Sequence, residues 1–162
     1  MLKIALTNLR RYNEGELVFE WIDLPCDDFE PIFDKLGHDE YFISDFECEI
    51  NYIELSEYAD LPLLNELAQK YDKLDRQEKF TLQAIVEAET NDLSKAFEIL
   101  ENECYIFYEV ENLEELAEEF IEDGLFGKIP KELESYIDYE KIARDLKYEG
   151  YIKTSVGIIC FY

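Results

Sequence analysis

The sequence predicts an α+β protein of three small units packed end to end: a sheet with one helix, a helical unit, and an antiparallel sheet with helices. Three observations lead there. Strand-like alternation dominates both ends of the chain, helical periodicity dominates its middle, and turn residues separate the two regimes without a low-complexity linker. A hydrophobic content of 48% with 15% aromatic residues, in 162 residues, is ample for packed cores, so a folded protein is expected despite the charge described below.

The first unit is expected over residues 1–59. KIALT reads as a strand, and ELVFEWIDL as a second in which Leu17, Phe19 and Trp21 alternate against Glu16 and Glu20. EYFISDFECEI reads as a third. Between the last two, Asp28 is the expected N-cap of a helix over FEPIFDKL, with Pro31 in its first turn and Gly37 as its stop.

The second unit, residues 60–103, changes to helical spacing. Leu64, Leu67, Ala68 and Tyr71 share one face; Leu82, Ile85 and Val86 follow, then Leu93, Ala96, Phe97 and Leu100. The third unit, residues 104–162, opens with the strand CYIFYEV and a helix at about 112–123. A helix started by Pro130 and one capped by Asp138 come next, the latter turning Tyr139, Ile142, Ala143 and Leu146 inward. Gly150 ends it, and YIKTS with VGIICFY forms a closing hairpin.

Charge is the feature that asks for a function. The chain has 40 acidic against 15 basic residues, a formal net charge of −25, where solubility alone is met by a magnitude of roughly 2–8. The excess is also clustered. Between Tyr12 and Gln69 there are 17 acids and the single base Lys35; between Ala96 and Gly127 there are 11 acids and no base. In NLEELAEEFIED, Leu113, Leu116, Ala117, Phe120 and Ile121 form the core-facing stripe and the other faces are acidic. Glu114 with Glu118, Glu115 with Glu119, and Glu118 with Glu122 are like-charge pairs four residues apart, each unfavourable by about 0.2–0.5 kcal/mol. Glu122 and Asp123 add negative charge at the helix C-terminus, where the macrodipole opposes it.

Geometry offers a reason for this sacrifice. Carboxylates four apart on a helix are separated by about 6 Å, and alternate strand residues such as Asp45, Glu47 and Glu49 by roughly 6.6 Å. Both spacings resemble the phosphate repeat. At about one charge per 1.7 Å of duplex, a net −25 matches roughly 42 Å of DNA, about 12 base pairs. A cleft that binds DNA through Lys and Arg would meet an anionic surface of similar density. The expected role is therefore a non-enzyme that imitates DNA. The alternatives are an acidic binding module for another basic, DNA-binding protein, and a solvated acidic face with no specific partner.

Motifs for chemistry are missing. His38, the sole histidine, follows Gly37 in an acidic turn and reads as a solvated loop residue; no nucleophile elbow, phosphate loop, zinc motif or dinucleotide fingerprint occurs. No metal or cofactor is expected. Cys26, Cys48, Cys104 and Cys160 are scattered and read as small core residues. No apolar run approaches ~18 residues and no secretory signal is visible, so the cytoplasm is the expected location and no membrane partner is expected.

The runs LTNLRRYNEGELVFEWIDLP and ELAEEFIEDGLFGKIPKELESYIDYEKIARDL resemble the ArdA family of antirestriction proteins, which are carried on mobile genetic elements. The likeness includes the YNEGEL turn, the end of the Trp21–Asp23 strand and the SYIDY junction around Tyr136–Tyr139. In the middle third it extends only to helical character. The resemblance implies an elongated, curved, three-domain homodimer that presents a B-DNA-like trail of carboxylates, binds no nucleic acid directly, and occupies the DNA groove of type I restriction–modification complexes. By the same resemblance the acidic helix carrying Glu111, Glu114, Glu115, Glu118, Glu119, Glu122 and Asp123 is the antirestriction region. Asp23, Asp27, Asp28, Glu30, Asp34, Asp45, Glu47, Glu49, Glu54 and Glu57 would extend the trail. A dimer contact is implied in the C-terminal third, where Tyr105, Phe107 and Tyr108 form an aromatic strand.

Overall fold

The near-continuous apolar run of strand β1 (Leu2–Asn8) is that of a central strand, and β1 does lie between β2 (Phe19–Leu24) and β3 (Tyr41–Cys48), antiparallel to both. The computed structural model describes residues 1–37 and 40–162; His38 lies outside the described residues. Between β1 and β2 the chain forms a short helix, α1 (Leu9–Asn13), where the sequence suggested only a turn. The Asn8 side chain caps it by accepting the Arg11 amide at 2.8 Å.

Register decides which face of β2 is buried. Ile22 pairs with Ile4 and Leu24 with Leu2, and these point into the core; Phe19 and Trp21, opposite Thr7 and Ala5, point the other way. The alternation of Leu17, Phe19 and Trp21 against Glu16 and Glu20 is therefore inverted relative to a simple hydrophobic-in reading. Leu17 precedes the strand and is 68% exposed. The pairing of β1 with β3 shifts by one residue between Ala5 and Leu6, which keeps Ile43 on the core side opposite Leu6.

Helix α2 (Glu30–Leu36) begins one residue later than expected. Phe29 is the N-cap, without a side-chain bond, and Asp28 instead accepts the Glu30 amide at 3.0 Å. Pro31 sits in the first turn and Gly37 ends the helix with φ 99°. The inner sheet face and α2 form a core with Leu61, Leu64 and Ala68 of α3 (Leu61–Lys73).

The helical middle follows its caps. Asp60, Asp75 and Asp92 each accept first-turn amides of α3, α4 (Arg76–Ala88) and α5 (Leu93–Asn102), and Asp75 with Glu78 completes a capping box. Every inward position expected from the periodicity in this region is buried. Ile50, Ile53, Leu67, Tyr71 and the apolar faces of α4 and α5 form a second core, which takes in Ile159 of the C-terminal sheet. Burial, followed by the nearby Glu49 carboxylate, pushes the Tyr71 hydroxyl up to about 12.

The C-terminal sheet has the order β4 (Tyr105–Tyr108), β6 (Ile158–Phe161), β5 (Ile152–Lys153), all antiparallel neighbours. Ile159 enters the second core; Ile158, on the opposite face, enters a third core with Val110, Leu116, Ala117, Phe120 and Leu146. That third core joins α6 (Leu113–Glu122) to α8 (Tyr139–Tyr148), while α7 (Lys131–Glu134) is a single exposed turn. The described residues thus form a mixed α+β fold with two small antiparallel sheets. Helix α3 serves the first and second cores, and β6 the second and third.

Polar bonds reinforce these junctions. Gln83 on α4 accepts the Asn51 amide at 2.9 Å and donates to Glu87 at 2.9 Å, and Glu87 accepts the Ser155 amide at 2.7 Å. One helix thereby holds both the end of the first sheet's connection and the turn of the closing hairpin. Among the described residues no helix is long and apolar enough to cross a membrane.

Candidate partner-binding surface

The acidic helix α6 is held by a cap at one end and by its apolar stripe along its length. Asn112 accepts the amides of Glu114 and Glu115 at 3.0 and 2.9 Å. Leu116 and Ala117 are fully buried, and Phe120 meets the rings of Tyr108 and Tyr151 edge-on at 5.5 and 5.8 Å. With the stripe anchored, the remaining directions must face solvent. Glu111, Glu114, Glu115, Glu118, Glu119, Glu122 and Asp123 are all exposed, and none of them makes an ion pair among the described residues.

One of these carboxylates has a local duty that the sequence did not reveal. Glu115 accepts the Glu111 amide at 2.6 Å, securing the chain just before the helix, and both Glu114 and Glu115 lie in the first turn. There the macrodipole favours them. The unfavourable charges are the later ones. Replacing Glu118, Glu119 and Glu122 by Gln is therefore expected to raise the melting temperature by a few degrees at low salt, since relief of their like-charge contacts amounts to about 1 kcal/mol. Glu115→Ala should lower it by a similar amount. Thermal melts at 10 mM and 0.5 M salt check both signs, and a loss of stability in the triple variant would reveal partners for those glutamates.

The other predicted carboxylates, Asp23, Asp27, Asp28, Glu30, Asp34, Asp45, Glu47, Glu49, Glu54 and Glu57, are likewise exposed. Asp23 and Glu47 flank Lys3 in one row across the first sheet, and Asp45 flanks Ala5 in the next. Asp23 lies 4.0 Å from the Lys3 ammonium and Glu49 3.4 Å from the N-terminal amine. Shorter ion pairs go to acids outside this set: Arg11 with Glu16 at 2.6 Å, Lys70 with Glu101 at 2.8 Å and Arg76 with Glu109 at 2.7 Å. The ion pairs that bases make among the described residues all lie away from the α6 carboxylates.

The aromatic strand β4 is turned inward. Tyr105 and Phe107 pack against the second core, and Tyr108 packs against the third, where burial and then the neighbouring Cys160 thiol raise its pKa. All three rings remain half-buried and so partly accessible, Ile106 is 44% exposed, and β4 is an edge strand of its sheet. The cysteines are free. Cys26, Cys48 and Cys160 are half-buried, with thiols pushed up chiefly by burial, but Cys104 is exposed, contrary to the expectation of four core cysteines. Among the described residues no group of three or more His, Cys, Asp or Glu side chains is placed to hold a metal ion.

Sequence reasoning also overlooked the aromatic side chains that stand among the acids of the first sheet. Phe19 and Trp21 are 44% and 38% exposed on the face that carries Asp23, Asp45 and Glu47. Only the β1–β2 register places them there; the alternation of the strand shows two faces without saying which is buried.

Comparison with known proteins adds identity to this geometry. No curated protein matches the chain. A family model described as antirestriction protein (ArdA) matches residues 4–159, nearly its whole length. The chain belongs to the ArdA family of antirestriction proteins, a family of inhibitors.

Proposed function

We propose that the exposed carboxylates imitate the phosphate charge of B-DNA and occupy the DNA-binding groove of a type I restriction–modification methyltransferase or restriction complex. The observation that carries this reading is α6: its acids are exposed, while none of the chain's bases pairs with them among the described residues. A packed helix fixes the backbone positions of its carboxylates, so a cationic groove meets charge at a set spacing. The acids of the first sheet and of α2 extend the track, and the three cores act as the units that carry it. Needing no base contacts, such a surface suits targets with different recognition sequences.

The protein acts in the cytoplasm, where incoming mobile DNA meets restriction, and it works as a homodimer. The contact between copies lies on the edge strand β4, where Ile106 is exposed and Tyr105, Phe107 and Tyr108 are partly accessible beside it. The inhibition is stoichiometric and involves no catalysis or cofactor.

The test is a methylation assay with a purified type I methyltransferase, titrated with the protein at several DNA concentrations. Activity should fall linearly to an equivalence point, and added DNA should restore it. Inhibition that persists unchanged at saturating DNA would remove the mimicry. No inhibition at any stoichiometry, with tight capture of a different DNA-binding protein, would favour the acidic-module reading instead.

A further inference from the structure

Helices α2 and α3 form a core with the Ile4 face of the first sheet. The opposite face is built differently. Across the three strands it reads Asp23, Lys3, Glu47 in one row, Trp21, Ala5, Asp45 in the next, and Phe19, Thr7, Phe42 in the third. Ala5 and Thr7 on the middle strand are nearly inaccessible, at 3% and 0% exposure. The middle strand is thus covered on this face, and its accessible surface is carried by the side chains of the two flanking strands, about 10 Å apart across two strand spacings.

Charge imitation alone has no use for an exposed indole beside an exposed phenyl ring. The Lys3 ammonium lies 5.8 Å from the Trp21 ring centroid and 4.0 Å from the Asp23 carboxylate, so the ring and acid already hold a cation between them. A guanidinium suits that place better than an ammonium. It is planar, weakly hydrated, stacks on an indole and bonds a carboxylate through two N–H groups at once. Lys3 is half-exposed, and its long ammonium side chain can rotate away.

We propose that this face is an arginine-docking platform: an arginine of the partner's DNA-binding groove stacks on Trp21, bonds Asp23, and displaces Lys3, with Asp45 and Glu47 closing the far side. This rests on the mimicry proposed above and adds a specific anchor to it. DNA-binding grooves are rich in arginines that contact phosphates, and interface hot spots are enriched in tryptophan, tyrosine and arginine. The carboxylates supply steering and the indole supplies desolvated contact.

Trp21 is the chain's single tryptophan, so the test can watch it directly. Protein labelled with 5-fluorotryptophan is mixed with unlabelled type I methyltransferase, and its one fluorine resonance is followed. A shifted, broadened resonance at saturation is expected. Trp21→Ala should weaken inhibition about thirtyfold, roughly 2 kcal/mol at 1.4 kcal/mol per decade, and Trp21→Phe by only about threefold. The slope of log affinity against log salt should stay that of the parent, because no charge has been removed.

An unmoved resonance in a complex that does inhibit would overturn the platform while leaving mimicry standing, and it needs no variant to fold. Parent-like inhibition by a folded Trp21→Ala would overturn it as well. If the unaltered protein fails to compete with DNA, the platform falls together with the mimicry.

Discussion

Converting Glu114, Glu118, Glu119 and Glu122 to Gln is expected to weaken inhibition of a type I methyltransferase by up to about a thousandfold at 0.15 M salt. The figure follows from counterion release: each contact neutralised on a duplex contributes a slope of about 0.9 in log affinity against log salt, or roughly 0.7 decade at that concentration. Four such contacts give nearly three decades, an upper bound because a folded protein condenses fewer counterions than DNA. Glu115 is kept because it accepts the Glu111 amide at 2.6 Å. Changing it would mix a capping defect with the loss of charge.

The salt dependence distinguishes mechanisms that a single affinity does not. If α6 lies in the groove, the variant's slope should flatten by several units, and its affinity should converge on the parent's toward high salt. Because the substitutions also relieve repulsion within the helix, the variant should be at least as thermally stable while inhibiting less. Inhibition titrations from 50 to 300 mM salt, beside melts of the same samples, provide both readouts. An unchanged slope would show that the partner contacts another part of the surface.

Gly157→Ala should have the largest effect on stability among small substitutions. A Cβ on Gly157 would lie 2.4 Å from the Tyr108 carbonyl oxygen and 2.7 Å from the Phe107 ring, and the backbone there has φ +157°. The obstructing atom belongs to the main chain of β4, so relief requires moving a strand. Overpacking of this kind costs about 2–4 kcal/mol, a fall in melting temperature on the order of 10 °C for a chain of this size. Gly124→Ala is the control, since nothing lies within 4 Å of its added Cβ and only the positive φ resists it. Similar melting temperatures for the two variants would mean that the closing hairpin does not approach β4 this closely. Ile158, next to Gly157, packs in the core beneath α6, so the same variant should also loosen the acidic helix and reduce inhibition.

Much of this molecule was readable from local pattern. Helices α3, α4, α5, α6 and α8 begin at the acidic or amide residues that cap them; the expected stripes of α3, α4 and α5 are buried, and those of α6 and α8 are buried at their centres, with Leu113, Ile121, Tyr139 and Ile142 partly exposed. The exposure of the α6 glutamates followed with the same certainty, because a helix with one buried stripe must turn its other faces outward. Caps, stripes and like-charge runs are relations between residues one to four positions apart, and such relations survive in the bare order of amino acids.

What escaped that reading depends on residues far apart in the chain. The Ile4–Ile22 and Ala5–Trp21 pairings send Phe19 and Trp21 to the outer face, although the strand's alternation is equally compatible with the reverse. Arg76 finds Glu109, and Lys70 finds Glu101, only after folding brings segments some thirty residues apart together. Cys104 was expected inside and is exposed, while Tyr105 beside it packs inward. Composition and spacing thus establish that the chain carries a dense, clustered negative charge; the long-range register selects which carboxylates keep it unneutralised and which aromatic rings stand among them. The physical reason is that strand pairing and ion pairing are settled by closure of long loops, whose outcome no short window of sequence contains.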